Sequence, residues 1–219
     1  MIILAYSKKY HRQIVHACAL ALKQGLVVAY PTDTSYGLAA DAGNPSAIQR
    51  LYRIKERQKN KPVHIVVPDL AYAKKIAGWS PAAAKLARAF WPGPLTLVLP
   101  LKARGNGGLK LLSAGSGFIG MRQPKNELAM ALVRALGRPL TATSANPSAR
   151  LSGGYDSYSA RDIAAQFAGK PHRPDIVIDA GRLPRRRPST LVRLSASGPE
   201  ILRPGPVSSK QILNILQHA

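Results

Sequence analysis

Residues 26–30 read Leu-Val-Val-Ala-Tyr, and residues 31–37 directly after them read Pro-Thr-Asp-Thr-Ser-Tyr-Gly. The first stretch is a continuous apolar run ended by proline, so it predicts a buried β-strand. The second stretch places three aliphatic hydroxyls, those of Thr and Ser, and one carboxylate at the end of that strand. A capped turn uses the same residue types, so this stretch alone leaves a structural and a functional interpretation open.

Strands and helices alternate along the rest of the chain. Further strands are predicted at 63–67, 95–99, 118–122, 140–143, 175–178, 190–194 and 200–203. Helices are predicted at 44–55, 80–90, 127–136 and 208–217. Several strands follow one another without a helix between them, which favours a mixed α/β sheet over a purely parallel one.

Two glycine-containing stretches lack such a pattern. Residues 102–116 contain four glycines and three basic residues, and we expect a mobile loop or a long hairpin there. Residues 144–158 are polar and glycine-rich and follow a predicted strand, which is typical of an active-site loop.

Length and composition indicate one globular domain over residues 1–219. The chain has 219 residues and 46% hydrophobic residues, enough for a sizeable core. No window reaches the roughly 18 apolar residues of a membrane span, so no membrane association is expected. The single Cys18 excludes a disulfide framework and a multi-cysteine zinc site. Together with an N-terminus that lacks a signal-peptide pattern, it predicts a cytoplasmic location.

The charge is strongly positive, with 32 Lys and Arg against 10 Asp and Glu, a formal net charge of +22. Such a charge attracts polyanions, including nucleic acid and phosphorylated ligands. A solvated basic surface and an RNA-facing surface both remain open. The sharpest cluster, Arg185-Arg186-Arg187, lies between Pro184 and Pro188 and predicts an exposed basic loop.

Three more polar clusters lie beside predicted strands. They are Lys55-Glu56-Arg57 with Lys59 and Lys61, then Thr141 to Asn146, then Pro188-Ser189-Thr190 with Arg203. Where a helix unwinds into a loop, Lys55 and Arg57 can converge on one anion. The ordinary alternative is a basic helix end that complements the helix dipole.

Several common catalytic motifs are missing from the sequence. It has no Walker loop, GxGxxG, HExxH, paired-cysteine zinc spacing or GxSxG elbow, so no direct metal-binding motif is predicted. His64 lies in an apolar strand and is interpreted as a core residue. The remaining Lys, Arg, Ser, Thr and Asn residues predict a phosphate-handling site that positions and neutralises its ligand.

The ordered set of clusters resembles the YrdC/TsaC family of threonylcarbamoyl-AMP synthases. The matching pieces are YPTDTSYGLAADA, the KxR at Lys55 and Arg57, KPVHIVV, FWPGPLTLVLP, GMRQP, the SxN at Ser144 and Asn146, PSTLVRL and ILRPGP. The resemblance implies a twisted mixed β-sheet with flanking helices around a deep basic cavity. Larger family members carry a further C-terminal domain, and this chain looks like the short single-domain bacterial type.

The resemblance also implies which residues form the site. Lys55 and Arg57 match the KxR that handles the nucleotide phosphates and would be the catalytic pair. The other matching nucleotide positions are Lys61, Ser144, Asn146, Ser152 and Arg203. Thr34, Arg122 and Ser189 match threonine-binding positions, with Arg122 on the carboxylate. Some members have a threonine-contacting His where this chain has Val66, and His64, two residues earlier on the same strand face, is a candidate to replace it.

The implied reaction joins L-threonine, bicarbonate and ATP into threonylcarbamoyl-adenylate and pyrophosphate, with Mg²⁺ accompanying ATP. A separate tRNA threonylcarbamoyl transferase complex would use the product downstream. The alternative is a non-catalytic protein of the same fold that binds tRNA or double-stranded RNA. The charge supports that alternative, whereas the small number of aromatic residues available for stacking on bases does not.

Overall fold

The computed structural model describes residues 1–58, 60–102, 107–148 and 155–217. Its strands are β1 (Ile2–Ala5), β2 (Val28–Tyr30), β3 (Gly37–Ala39), β4 (His64–Val66), β5 (Leu95–Pro100), β6 (Phe118–Arg122), β7 (Leu140–Ser144), β8 (Ile176–Asp179), β9 (Thr190–Ser195) and β10 (Gly198–Arg203). Its helices are α1 (His11–Lys23), α2 (Pro45–Ile54), α3 (Leu70–Ile76), α4 (Pro81–Phe90), α5 (Gly107–Ser113), α6 (Glu127–Leu136), α7 (Ala160–Gln166) and α8 (Ser209–Gln217).

The strands form one mixed sheet in the order β1-β8-β2-β3-β7-β4-β6-β5-β9-β10. Strand β7 lies in its interior and pairs antiparallel with both β3 and β4. Parallel pairs, such as β4 with β6 and β5 with β9, lie beside antiparallel ones, such as β5 with β6. The predicted α/β fold with a mixed sheet is confirmed, and β7 joins its two halves.

Each face of the sheet carries its own hydrophobic core. Along β2, Ala29 packs into the core that includes α2, α4 and α5, whereas Val28 and Tyr30 pack into the core formed with α1 and α6. The same alternation separates Ile65 from Val66 in β4. Successive residues of a strand point to opposite faces, so both faces of these strands are covered by helices.

Local capping sets several helix ends. The side chains of Asn44, Ser80 and Asn126 accept backbone N–H groups in the first turns of α2, α4 and α6. Proline occupies the first position of α2 and α4, where its missing N–H leaves no bond unmade. Gly137 adopts φ 73° after α6 and ends it. These helices begin and end close to the predicted positions.

One sequence prediction is corrected in the stretch 102–116. Residues 107–113 form α5 rather than a loop or hairpin, and residues 103–106 lie outside the described ranges. Leu109 and Leu112, three residues apart, are buried. Gly108 lies so close to the Ala42 carbonyl that a Cβ would be 2.2 Å from its oxygen. The glycine that suggested a loop is therefore what lets the helix approach the backbone.

Among the described residues, no helix is both long and apolar enough to cross a membrane. The longest described helix, α1, has 13 residues.

Gly205 holds the loop after β10 against the start of β9, and it offers a test of this packing. A Cβ at position 205 would lie 2.4 Å from the Thr190 nitrogen and 2.6 Å from the Pro188 oxygen. We expect Gly205→Ala to lower the free energy of unfolding by about 2 kcal/mol, since backbone must move to make room.

Urea unfolding measures this change. Gly78→Ala is the control, because its Cβ would meet Pro100 at an ordinary 3.7 Å. Equal stabilities of the two variants would contradict the packing described for Gly205.

Candidate active site

One open cavity of about 250 Å³ brings most of the predicted clusters together. Its floor comes from six strands that are neighbours in the sheet, β2, β3, β7, β4, β6 and β5. Residues from these strands that line it are Tyr30, Gly37, His64, Val66, Thr96, Arg122, Ala142, Thr143 and Ser144. The loops after β2, before β4 and before β9 supply the walls, so the cavity lies where the sequence placed its polar residues.

Three arginines, Arg57, Arg122 and Arg203, line this cavity. Burial lowers the pKa of Arg57, and burial together with Arg122 lowers the pKa of Arg203. Removing guanidinium groups from water beside one another carries a free-energy penalty that a bound anion relieves. The cavity is therefore built to hold a multiply charged anion.

Arg57 is held by carbonyl oxygens of its own loop. Its Nη2 donates to the Pro62 oxygen at 2.8 Å, and its Nε donates to the Lys61 oxygen at 3.4 Å. These bonds fold the loop between α2 and β4 back on itself and keep the guanidinium at the cavity wall.

A second set of bonds joins Arg203 to Ser189 and Thr96. Nη2 of Arg203 donates to the Ser189 carbonyl oxygen at 2.8 Å and to Ser189 Oγ at 3.2 Å. Ser189 Oγ also shares a 2.8 Å hydrogen bond with Thr96 Oγ1. Residues of β5 and β10 thereby fix the Ser189 hydroxyl, directly before β9, in the cavity wall.

Arg122, at the end of β6, forms a buried ion pair with Asp33 in the loop after β2. Its Nε is buried and has no hydrogen-bond partner among the described residues. Buried donors in folded proteins are almost always paired, so this guanidinium retains a donor that the described residues do not use. Thr34 lines the same cavity, and its hydroxyl is 3.1 Å from that of Thr32.

Lys55 does not reach the cavity. It is 2% exposed, and its ammonium donates to the Ser144 and Asn146 carbonyl oxygens at 2.6 and 2.7 Å. Helix α2 ends at Ile54, and Glu56 turns the chain with φ 48°, so Lys55 and Arg57 point in different directions. The expected convergence of the pair on one anion is therefore corrected: Lys55 binds backbone and Arg57 lines the cavity.

Of the remaining residues predicted to bind the nucleotide, one lines the cavity and the others described do not. Ser144 lines the cavity, whereas Asn146 is buried beside Lys55, with its Oδ1 3.5 Å from the ammonium, and donates to the Pro147 oxygen. Lys61 is not among the lining residues, and its backbone oxygen accepts a hydrogen bond from Arg57. Ser152 lies outside the described residues.

His64 lies in the cavity wall, which corrects its interpretation as a core residue. Its ring packs on Gly120 of the neighbouring strand, where a Cβ would come within 2.4 Å of the ring's Cδ2. Burial, and then the three cavity arginines, lower the pKa of His64 to about 3. The imidazole is therefore neutral around neutral pH and offers a hydrogen bond without charge.

Asp156 is the one acidic side chain that lines the cavity among the described residues, and no sequence motif pointed to it by itself. It stands in the polar stretch 144–158, so only the general expectation of an active-site loop pointed to it. Within the described ranges, no group of three His, Cys, Asp or Glu residues could hold a metal on its own.

The buried ammonium of Lys55 predicts a pH-dependent stability. Burial, with Arg57 adding repulsion, lowers the pKa of Lys55 to about 7. Between this value and the higher unfolded-state pKa the folded chain binds fewer protons, so the Lys55 contribution to stability becomes more favourable as pH rises. Between about pH 7 and 9, the free energy of unfolding of the wild-type chain should rise by on the order of 2 kcal/mol relative to that of Lys55→Met.

Urea unfolding of both proteins across that pH range measures the gain. Lys23→Met, at the exposed end of α1, is the control and should show a pH profile parallel to the wild type. A parallel profile for Lys55→Met would contradict the burial of its charge.

Comparisons with known proteins identify relatives of the whole described fold. The threonylcarbamoyl-AMP synthase of Bacillus subtilis is 35% identical over 201 residues, covering 91% of this chain and 55% of the relative. That of Pyrococcus abyssi is 32% identical over 216 residues, covering 98% of this chain and 61% of the relative. The crystal structure of P. abyssi Sua5 complexed with L-threonine superposes with a TM-score of 0.87 at 31% identity, over 99% of this chain and 61% of that one.

The chain thus spans little more than half the length of these relatives. The model of the Sua5/YciO/YrdC family, described as "Telomere recombination", matches residues 20–205. That range includes every described cavity-lining residue, from Tyr30 to Arg203. The chain belongs to the Sua5/YciO/YrdC family.

Proposed function

We propose that the chain is an L-threonylcarbamoyladenylate synthase, a nucleotidyltransferase that forms threonylcarbamoyl-AMP and pyrophosphate from L-threonine, bicarbonate and ATP. The observation that carries the proposal is the cavity with three arginines, one of which keeps a buried, unpaired Nε. The two relatives named threonylcarbamoyl-AMP synthase and the neighbour that holds L-threonine support it.

Threonine would occupy the part of the cavity around Arg122. Its carboxylate would accept from the unpaired Nε of that arginine. Its hydroxyl and amine would meet the neutral side chains of Thr34, Ser189 and His64, which line the same space. Neutral partners suit the amine, because it must lose its proton before it can attack.

The nucleotide phosphates would lie near Arg57 and Arg203, with Ser144 beside them. Lys55 and Asn146 would not contact the nucleotide, and would instead hold the turn after β7 in place. Charge on a transferring phosphoryl group is best stabilised by fixed cations in a largely desolvated site, and both guanidiniums are held by backbone carbonyls.

The reaction then has two steps. The free amine of threonine attacks bicarbonate or CO₂ and forms a carbamate, with loss of water in the bicarbonate case. A carbamate oxygen attacks the α-phosphorus of ATP, the bond to the bridging oxygen breaks, and pyrophosphate leaves. No covalent bond to the protein is needed, so the chain's contribution is alignment and electrostatic stabilisation.

We propose that Mg²⁺ accompanies ATP, and the donor set fits a metal held mainly by phosphates. Mg²⁺ in such sites uses one or two carboxylates together with substrate phosphates, and Asp156 is the carboxylate available on the described cavity wall. When bound, the ion would neutralise phosphate charge. Asp156 would hold it from the protein side.

We further infer that the activated product serves a tRNA threonylcarbamoyl transferase complex and that the protein works in the cytoplasm. The alternative of a non-catalytic RNA-binding protein is not favoured by the named relatives. Arg185, Arg186 and Arg187 are exposed, as expected for a basic loop, and lie just before the cavity residue Ser189. Attraction of tRNA to this loop remains a prediction.

Pyrophosphate release tests the proposed function. Release should require threonine as well as ATP and bicarbonate, and Arg57→Ala should lower kcat/KM by the equivalent of about 2–4 kcal/mol, because a principal charge partner is lost. Arg53→Ala, an exposed arginine in the last turn of α2, is the control and should leave kcat/KM unchanged. Release that ignores threonine would contradict the proposal.

Metal binding tests the role of Asp156 independently of turnover. With a non-hydrolysable ATP analogue present, Asp156→Asn should weaken Mn²⁺ binding about tenfold, since a carboxylate ligand is lost. Electron paramagnetic resonance of free Mn²⁺ gives the affinity. Asp162→Asn, whose carboxylate accepts the backbone N–H of Tyr158 and does not line the cavity, should bind Mn²⁺ as the wild type does. Equal affinity for all three proteins would remove Asp156 from the metal site.

A further inference from the structure

The ion pair between Arg122 and Asp33 joins the end of β6 to the loop after β2. Arg122 belongs to β6, and its backbone pairs with Val66 of β4. Its Nη2 contacts Asp33 Oδ1, and the two side chains are only 9% and 6% exposed. A buried ion pair often contributes little net stability, so its presence in a cavity wall calls for another explanation.

Asp33 is itself held rigidly. Its second oxygen, Oδ2, accepts the backbone N–H of Lys125 at 3.1 Å. Thr32 Oγ1 donates to the Ser35 oxygen at 2.7 Å and accepts from the Thr34 nitrogen at 3.1 Å, which fixes the turn that carries Asp33. The carboxylate is therefore anchored from both sides and is not free to swing out of the pair.

The pair leaves part of the guanidinium unused. Asp33 engages Nη2 of Arg122, while the buried Nε finds no acceptor among the described residues. A guanidinium has five N–H donors and can serve two carboxylates at once. The unused donors belong to a side chain that lines the cavity, so a substrate carboxylate can bind without displacing Asp33.

We propose that Asp33 is a positioning residue for threonine: it fixes the orientation of the Arg122 guanidinium so that the unpaired donors face the substrate carboxylate. This inference depends on the proposed function, which supplies the amino-acid substrate. A rival role is that of an internal competitor, in which Asp33 occupies the carboxylate site and threonine must displace it. The anchoring of Asp33 by Thr32 and Lys125 favours positioning.

Steady-state kinetics of Asp33→Asn separates the two roles. Positioning predicts that KM for threonine rises about ten- to a hundredfold while KM for ATP stays within about twofold, because a misplaced guanidinium loses its alignment with one substrate only. Asp33→Glu should recover part of the loss, since it restores the charge but displaces it by a methylene. A fall in KM for threonine would establish competition and overturn the proposal.

A merely structural role is tested by a matched ion pair elsewhere. Asp175 pairs with Arg50 and accepts the backbone N–H of Val27 at 2.8 Å, much as Asp33 pairs with Arg122 and accepts that of Lys125. Asp175 does not line the cavity, so Asp175→Asn should lower thermal stability and leave both KM values unchanged. Equal rises in KM for threonine and ATP in Asp33→Asn would also overturn the proposal.

Calorimetric titration of L-threonine separates failure of this inference from failure of the proposed function. A wild-type protein that neither binds threonine nor releases pyrophosphate would refute the function. A wild-type protein that binds threonine, with Asp33→Asn binding it equally, would refute only the role of Asp33. If Asp33→Asn does not fold, Asp33→Ser decides by the same titration: weaker threonine binding supports the proposal, and unchanged binding overturns it.

Discussion

The contact between the buried Lys55 amino group and the end of β7 is the interaction on which the rest of the site depends. Lys55 binds carbonyl oxygens of Ser144 and Asn146, at the end of β7, from the end of α2. Strand β7 joins the two halves of the sheet, and the cavity floor crosses that junction. A charge removed from water this completely must be compensated by several acceptors, so the contact fixes where β7 ends and where the chain turns toward Arg57.

Because of this contact, the two neighbouring cations Lys55 and Arg57 have different roles. Lys55 fixes the backbone, and Arg57, turned away by the left-handed Glu56, is left for the ligand. The other two cavity arginines are also held by protein groups: Arg203 donates to the Ser189 carbonyl oxygen, and Arg122 forms an ion pair with Asp33. Each guanidinium is oriented before a ligand arrives, which is how a site without a covalent nucleophile lowers a barrier.

The order of the polar clusters and the mixed sheet could be predicted from the sequence, because strand ends after apolar runs meet at one surface. Strand periodicity also placed His64 and Val66 on one face. The direction of Lys55 could not be predicted, since its acceptors are about ninety residues away in sequence. Helix α5 was missed because composition cannot show that Gly108 packs against Ala42, and Asp33 was visible only as part of a turn.

The central claim is that bicarbonate carbon becomes bonded to threonine nitrogen and to an oxygen on the α-phosphorus of ATP in this cavity. Mass spectrometry of the product formed from ¹³C-labelled bicarbonate, L-threonine and ATP tests it most directly. The account predicts an adenylate that contains threonine and the labelled carbon. Pyrophosphate accompanied only by unlabelled AMP, or by a threonyl adenylate without the label, would contradict it.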